Sequence, residues 1–223
     1  MWTTLSRTLL VLTFVTGIVD AVSFLALGGV FAAMQTGNVI FLGIGIAGSS
    51  HAAVWAPLLG LLGFLAGSSA GAVLLKPDGP SSGRELRWAM AIEVGLLGAA
   101  AVLAALVDVR PGDATAYVLI ATLSLAMGQR NTVARRVGGQ NLATTVLNLT
   151  LSAFVSHTPT GIASEDELAV RGTAIAAILV GAAVGALLLQ ASLALALAVA
   201  ALTVLGLRLA QPADGSADVA HAK

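Results

Sequence analysis

Asp20 is the residue best placed to do chemistry in this chain, because it lies well inside an apolar stretch, Thr8–Leu27, with Thr16, Gly17 and Ser23 around it. A carboxylate near the centre of a bilayer costs roughly 2.5–3.5 kcal/mol, so it normally faces a cavity or a partner. In a cavity it suits reversible protonation; otherwise it is a structural carboxylate hydrogen-bonded to a neighbouring helix end, and both readings stay open. Glu93 lies a turn or two into a second stretch, Trp88–Val107, behind Trp88. It reads as a second proton-carrying or helix-pairing carboxylate, or as an interfacial anchor, since an acidic side chain is favourable near a helix N-terminus. The anchor is the simpler expectation.

Hydrogen-bonding side chains interrupt two further stretches. Gln35-Thr36-Gly37-Asn38 falls within Val30–Ala47, around a glycine that permits close backbone approach. At a shift of 112, Thr36 aligns with Asn148 and Asn38 with Thr150, inside the stretch Leu142–Val155. Such groups coordinate a polar solute or ion when they line a cavity, and bond helix to helix when they do not. Gln129, Arg130 and Asn131, with Arg135 and Arg136, end the stretch Ala114–Gly128. Arginines at a pore mouth draw in anions, but charge bias between loops explains this cluster more cheaply. The ion-path candidates are therefore Asp20, Thr36, Asn38, Glu93, Gln129, Asn131 and Asn148.

The elements that must hold these residues are membrane helices. The chain is 57% hydrophobic and 10% charged with a mean hydropathy of +0.95, against roughly a quarter charged in soluble domains. Its 223 residues and formal net charge of +0 leave little room for a soluble domain and no basic field for nucleic acid. The expected partners are the lipid bilayer, a small polar solute or ion, and a second copy of the chain. There is no cysteine, which excludes disulfides, thiolate metal sites and a cysteine nucleophile. No nucleotide-binding loop, metalloprotease or serine-hydrolase motif is present, so neither enzyme nor cofactor is expected. His51 and His157 each follow a serine, but their spacing does not support a metal pair. Arg7 before Leu9–Val15 has the look of a signal peptide; the run continues through Asp20 into a repeated segment, which argues against cleavage.

That repetition organises the chain. Gly17, Asp20 and Gly28 recur at a constant shift as Gly128, Asn131 and Gly139 (128 − 17 = 131 − 20 = 139 − 28 = 111), and Gly67 and Gly71 recur as Gly181 and Gly185 (181 − 67 = 114). The expectation is one membrane domain over 1–210, with repeat one at about 8–107, repeat two at about 114–209, and a disordered cytoplasmic tail at 211–223. Apolar stretches fall at Thr8–Leu27, Val30–Ala47, Ala53–Leu75, Trp88–Val107, Ala114–Gly128, Leu142–Val155, Val170–Gln190 and Ser192–Leu209, with Lys76–Arg87 as the joint between halves. If all eight cross, the arginine-bearing loops fall on opposite sides, against the positive-inside rule. If Val30–Ala47 and Leu142–Val155 re-enter instead, Arg7, the Lys76–Arg87 loop, Arg130–Arg136, Arg171 and Arg208 share the cytoplasmic side, and Arg110 alone is outside. The expected fold is thus an all-α transmembrane bundle of about six spans plus two re-entrant helices, with eight spans as the alternative. Six spans imply halves of opposite orientation, with Gly28-Gly29 and Gly138-Gly139 as the breaks. The ladders Gly63, Gly67, Gly71 and Gly181, Gly185 put small residues on one helix face for close packing, against each other or against a second protomer.

The string from Gly17 through Asp20 and Gly28-Gly29 to Thr36-Gly37-Asn38, followed by Gly128-Gln129-Arg130-Asn131 and Thr144-Thr145, resembles the YoaK-like family of bacterial integral membrane proteins. The likeness covers most of the chain apart from the tail. It implies a multi-pass protein of the bacterial cytoplasmic membrane, with no biochemical function attached. The second motif in that family usually continues as Thr-Gly-Thr, where this chain has Asn148-Leu149-Thr150. Two functions are expected from the residues: a small transporter or channel with a midplane polar site between the repeats, or a non-transporting scaffold or assembly factor in which the same residues only lock helices together.

Overall fold

The computed structural model describes residues 4–48, 52–74, 83–138 and 165–211. These form seven α-helices: α1 Thr4–Ala26, α2 Gln35–Ile46, α3 Ala52–Leu74, α4 Gly83–Leu106, α5 Ala114–Gly138, α6 Glu165–Ala191 and α7 Leu193–Ala210. Five of them, α1, α3, α4, α6 and α7, are long and apolar enough to cross a membrane. The protein is a polytopic helix bundle. His51, His157, Asn148, the stretch Leu142–Val155, most of the Lys76–Arg87 joint and the tail from Pro212 lie outside the described residues.

The direction of each helix follows from its contacts. At one end of the bundle, Arg208 Nε donates to the Arg87 carbonyl (3.3 Å) and Gln211 Nε2 to Thr8 Oγ1 (3.1 Å), which brings together the end of α7 and the starts of α4 and α1. Late in α5, Gln129 Nε2 donates to the Ala89 carbonyl early in α4 (2.9 Å), so α5 ends where α4 begins. Gly63, Gly67 and Gly71 of α3 meet Ala121, Leu125 and Gln129 of α5 in rising order, and Gly181 and Gly185 of α6 meet Phe14 and Ile18 of α1 in rising order. Both pairs are therefore parallel. It follows that α1, α4 and α6 run one way, and α3, α5 and α7 the other. The end of α1 and the start of α3 share the far face of the bundle, so α2 enters and leaves through that face. Its 12 residues span about 18 Å at 1.5 Å per residue, well short of a hydrocarbon core of about 30 Å.

Each ladder packs within the chain on the first helix of the opposite half, not on the other ladder. A methyl group at Gly67 would fall on the Leu125 carbonyl, and one at Gly181 on the Phe14 carbonyl; Gly128 and Gly17 face the Phe64 and Ile178 carbonyls. These contacts exchange under the shifts seen in the sequence (125 − 14 = 128 − 17 = 111; 181 − 67 = 178 − 64 = 114). Backbones this close gain dispersion and leave no room for a side chain, which is why the positions are glycine. The outer faces of α3 and α6 remain apolar and exposed at Leu62, Leu65, Leu179 and Leu187, as lipid contact requires.

Two element boundaries differ from the hydropathy reading. α5 runs ten residues past Gly128, because Gln129–Val137 is polar but contains no glycine or proline. Its inward stripe Ala126, Met127, Arg130, Val133 and Ala134 is buried at helical spacing. α4 starts at Gly83 rather than Trp88, with Glu85 in its first turn, so Glu93 is not near the helix start.

Candidate functional site

The buried polar residues meet where α1, α4 and α5 pack. Arg130 reaches out of α5: its Nη1 donates to Glu93 Oε1 on α4 at 2.6 Å and its Nη2 to Thr16 Oγ1 on α1 at 2.5 Å. The Thr16 hydroxyl donates in turn to the Leu12 carbonyl at 2.9 Å. Side-chain exposure is 3% for Arg130 and 0% for Glu93. Glu93 stands ten residues into α4 and Thr16 twelve into α1, about 15 and 18 Å from the helix starts, near half the depth of a bilayer core. This overturns the interfacial-anchor reading of Glu93. Beside the pair, Gln129 spans to the Ala89 carbonyl.

One turn beyond Thr16, the Asp20 carboxylate is buried and ties the re-entrant segment to α1. Gly28 and Gly29 terminate α1 with φ of 109° and 76°, a backbone that side-chain-bearing residues rarely adopt, and the chain folds back. Ala33 N donates to Asp20 Oδ1 at 2.7 Å. Asp20 thereby accepts a backbone N–H from the loop just before α2, a position where a carboxylate is electrostatically favoured. The same loop is clamped from α2: Asn38 Oδ1 accepts from Phe31 N (2.9 Å), while Asn38 Nδ2 donates to the Phe31 carbonyl (2.6 Å) and to Gln35 Oε1 (2.9 Å). The Phe31 ring stacks on Phe24, with centroids 4.9 Å apart. Non-helical backbone at membrane depth needs internal partners of this kind.

Of the residues singled out from sequence, Asp20, Glu93 and Gln129 thus gather around Arg130, and Asn38 holds the adjoining loop. Thr36 is exposed and Asn131 half-buried on α5. Arg130 itself is the hub of the cluster, whereas its charge alone reads as that of a loop residue. The signal that finds it is the apolar stripe of α5, which continues through position 130 at helical spacing. Thr16 carries no separate signal.

Among the described residues, three side-chain atoms are buried without a hydrogen-bond partner: Glu93 Oε2, Gln129 Oε1 and Ser124 Oγ. The cluster holds two carboxyl groups and one guanidinium. As a donor and acceptor inventory it is short of a hydrogen on Glu93 Oε2, while Asp20 Oδ1 has the Ala33 amide.

A family model described as a protein of unknown function (DUF1275) matches residues 8–210. The chain belongs to this family. Among curated proteins, the UPF0700 transmembrane protein YoaK of Bacillus subtilis (strain 168) is 32% identical over 143 residues, 62% of this chain and 60% of that protein. The match therefore spans less than two thirds of that relative's length. No solved structure matches the chain. The buried Arg130, Glu93 and Asp20 all fall within the region that the DUF1275 family covers, and the resemblance read from Gly17 to Asn38 agrees with the family. The protein is a membrane-spanning DUF1275 member.

Proposed function

We propose that the chain is a small transporter of the bacterial inner membrane, built from two halves of opposite orientation, with the Asp20–Arg130–Glu93 cluster as its exchangeable polar site. The observation that carries this reading is the cluster itself: a buried Arg130–Glu93 pair near half depth where α1, α4 and α5 meet, with Asp20 one turn beyond Thr16 on α1 against the start of α2. Ionisable groups in this setting mark ion and substrate pathways by default, and broken helices meeting at the repeat interface are the usual site in secondary transporters. Pure helix locking is met at lower cost by apolar packing, since buried ion pairs are often neutral or unfavourable compared with hydrophobic replacements. The expected result in proteoliposomes screened with cations, anions and neutral polar solutes is uptake above empty vesicles for one class, reduced to background by Asp20→Asn. Folded protein that moves none of the classes overturns the proposal.

One observation favours the non-transporting scaffold. Asp20 and Asn38 are buried and bond to the backbone of the Phe31–Ala33 loop, as groups that only fix a helix end would. Water-accessible labelling at position 20 separates the two: a path wets it, a scaffold leaves it dry.

The orientation follows from charge. Arg7, Arg84, Arg135 and Arg136 are exposed at the end of the bundle where α1 and α4 begin and α5 ends, while Asp108, Arg110 and Asp113 are exposed at the other. The positive-inside rule then makes the first end cytoplasmic, together with both ends of the bundle's chain path at α1 and α7. Cysteines placed at Arg7 and at Asp113 read this directly, as the chain has none of its own. In intact cells an impermeant thiol reagent should label position 113 and spare position 7; the reverse pattern inverts the assignment.

A further inference from the structure

We propose that Glu93, and not Asp20, is the proton-binding group of the buried cluster, and that the proton sits on Oε2 and is shared with the Gln129 side-chain oxygen. The argument starts from hydrogens. An ionised carboxylate only accepts, and a protonated one gains an O–H donor. Asp20 accepts the Ala33 amide on Oδ1, a donor that cannot be removed, and neither of its oxygens is among the buried atoms left without a partner. Glu93 receives a hydrogen from Arg130 on Oε1, while Oε2 is fully buried and receives none from the described residues.

Gln129 Oε1 has the same deficit, because its amide nitrogen is engaged by the Ala89 carbonyl. Within α4 that carbonyl is the one to which the Glu93 amide is bonded, by the i to i−4 rule. The Gln129 amide group therefore lies against the turn that carries Glu93. A single proton added to Glu93 Oε2 supplies the donor that both oxygens lack. It also brings the cluster to electrical balance, with Asp20 negative and Arg130 positive; without it two carboxylates share one guanidinium in a site where an uncompensated charge is costly. The step is a simple association: H⁺ binds Oε2 to form an O–H bond, and its loss restores the carboxylate, with Arg130 retained on Oε1 in both forms.

The other charged groups around Glu93 do not compete for this role. α3 carries no charged residue between Ala52 and Leu74. The face of α7 toward the core is Ala196, Leu197, Ala200, Ala201 and Val204. Arg208 and Arg87 meet each other at the end of the bundle, and Glu85 lies two turns before Glu93 in the first turn of α4. Among the described residues, Arg130 is the charge that Glu93 meets directly.

Use of this proton to drive a solute rests on the transport reading above; its binding does not. Infrared difference spectra of the purified full chain in liposomes, recorded across a pH titration, report the carbonyl stretch of a protonated carboxyl group buried in protein. The expected result is a pH-dependent band that persists in Asp20→Asn, is lost in Glu93→Gln, and is unaffected by replacing sodium with potassium. No such band, or a band lost in Asp20→Asn, overturns the assignment; a band abolished by sodium makes the site one for a metal cation and overturns it equally. If Glu93→Gln does not fold, the wild-type titration and Asp20→Asn carry the test alone. A band as described in a protein that moves no solute leaves the proton site standing and defeats the transport reading. Uptake without the band does the opposite.

Discussion

Arg130→Ala is expected to lower the stability of the folded chain by about 3–5 kcal/mol, the range for removing one partner of a buried ion pair and leaving the other charged. Glu93 loses the guanidinium that donates to it, and the Thr16 hydroxyl loses the donor it accepts from. The double substitution Arg130→Met with Glu93→Leu should recover most of that loss, because apolar side chains of similar volume replace a buried pair at little cost. A double-mutant cycle on unfolding in mixed detergent measures the coupling, which between groups in direct contact is expected at about 0.5–3 kcal/mol or above. An Arg130→Ala variant as stable as the parent shows that water reaches the guanidinium, and rules out a dry cluster. The same pair of variants speaks to function. If the apolar double variant is stable but inert in uptake, the ions serve transport; if it is stable and the biological role persists, they served only packing.

The glycine crossings give the second large effect. Gly67→Ala and Gly181→Ala each set a methyl group onto a backbone carbonyl of the facing helix, Leu125 or Phe14, where no side chain is available to move aside. Each is expected to cost about 1–3 kcal/mol, the typical range for overpacking, and a leucine at either position should prevent α3·α5 or α1·α6 from closing. A methyl group at Gly98 or Gly206 would meet nothing within 4 Å, so alanine there should be neutral or stabilise by up to about 1 kcal/mol through helix propensity. Thermal stability of the four variants in detergent is the measurement. Equal behaviour of all four would mean that the crossings are not close-packed in the folded protein.

How much of this is readable from sequence depends on what kind of signal each residue sends. Apolar runs of about 20 residues announce membrane helices, and charge bias between their ends points to a short, non-crossing stretch at Val30–Ala47, seen in the structure as α2. Asp20 announces itself because a carboxylate in an apolar run has no neutral explanation. Arg130 does the opposite: a cation beside polar neighbours and two more arginines looks like the edge of a helix, and only the burial of Val133 and Ala134 beyond it makes it interior. Glu93 looks interfacial when the helix is taken to start at Trp88, where hydropathy rises, and not at Gly83, five residues earlier. The partners of Asp20 and Asn38 are unreadable because both bond to backbone amides and carbonyls, groups that every residue carries and no sequence pattern distinguishes.

The parallel seating of α3 on α5 has a consequence for synthesis. When the first 74 residues have entered the membrane, the face of α3 bearing Gly63, Gly67 and Gly71 has no helix to receive it, since Ala121, Leu125 and Gln129 have yet to be made. The ribosome adds roughly 5–20 residues per second, so the N-terminal helices wait some seconds with an open groove and with Asp20 beside it lacking Arg130. α1 waits longer, because its partner positions Gly181 and Gly185 lie in α6. Once α5 has been made, α3, α4 and α5 can close on one another, but the face of α1 that receives Gly181 and Gly185 stays open until α6 follows. The glycine-facing side of α1 is therefore among the last parts of the core to be covered during insertion.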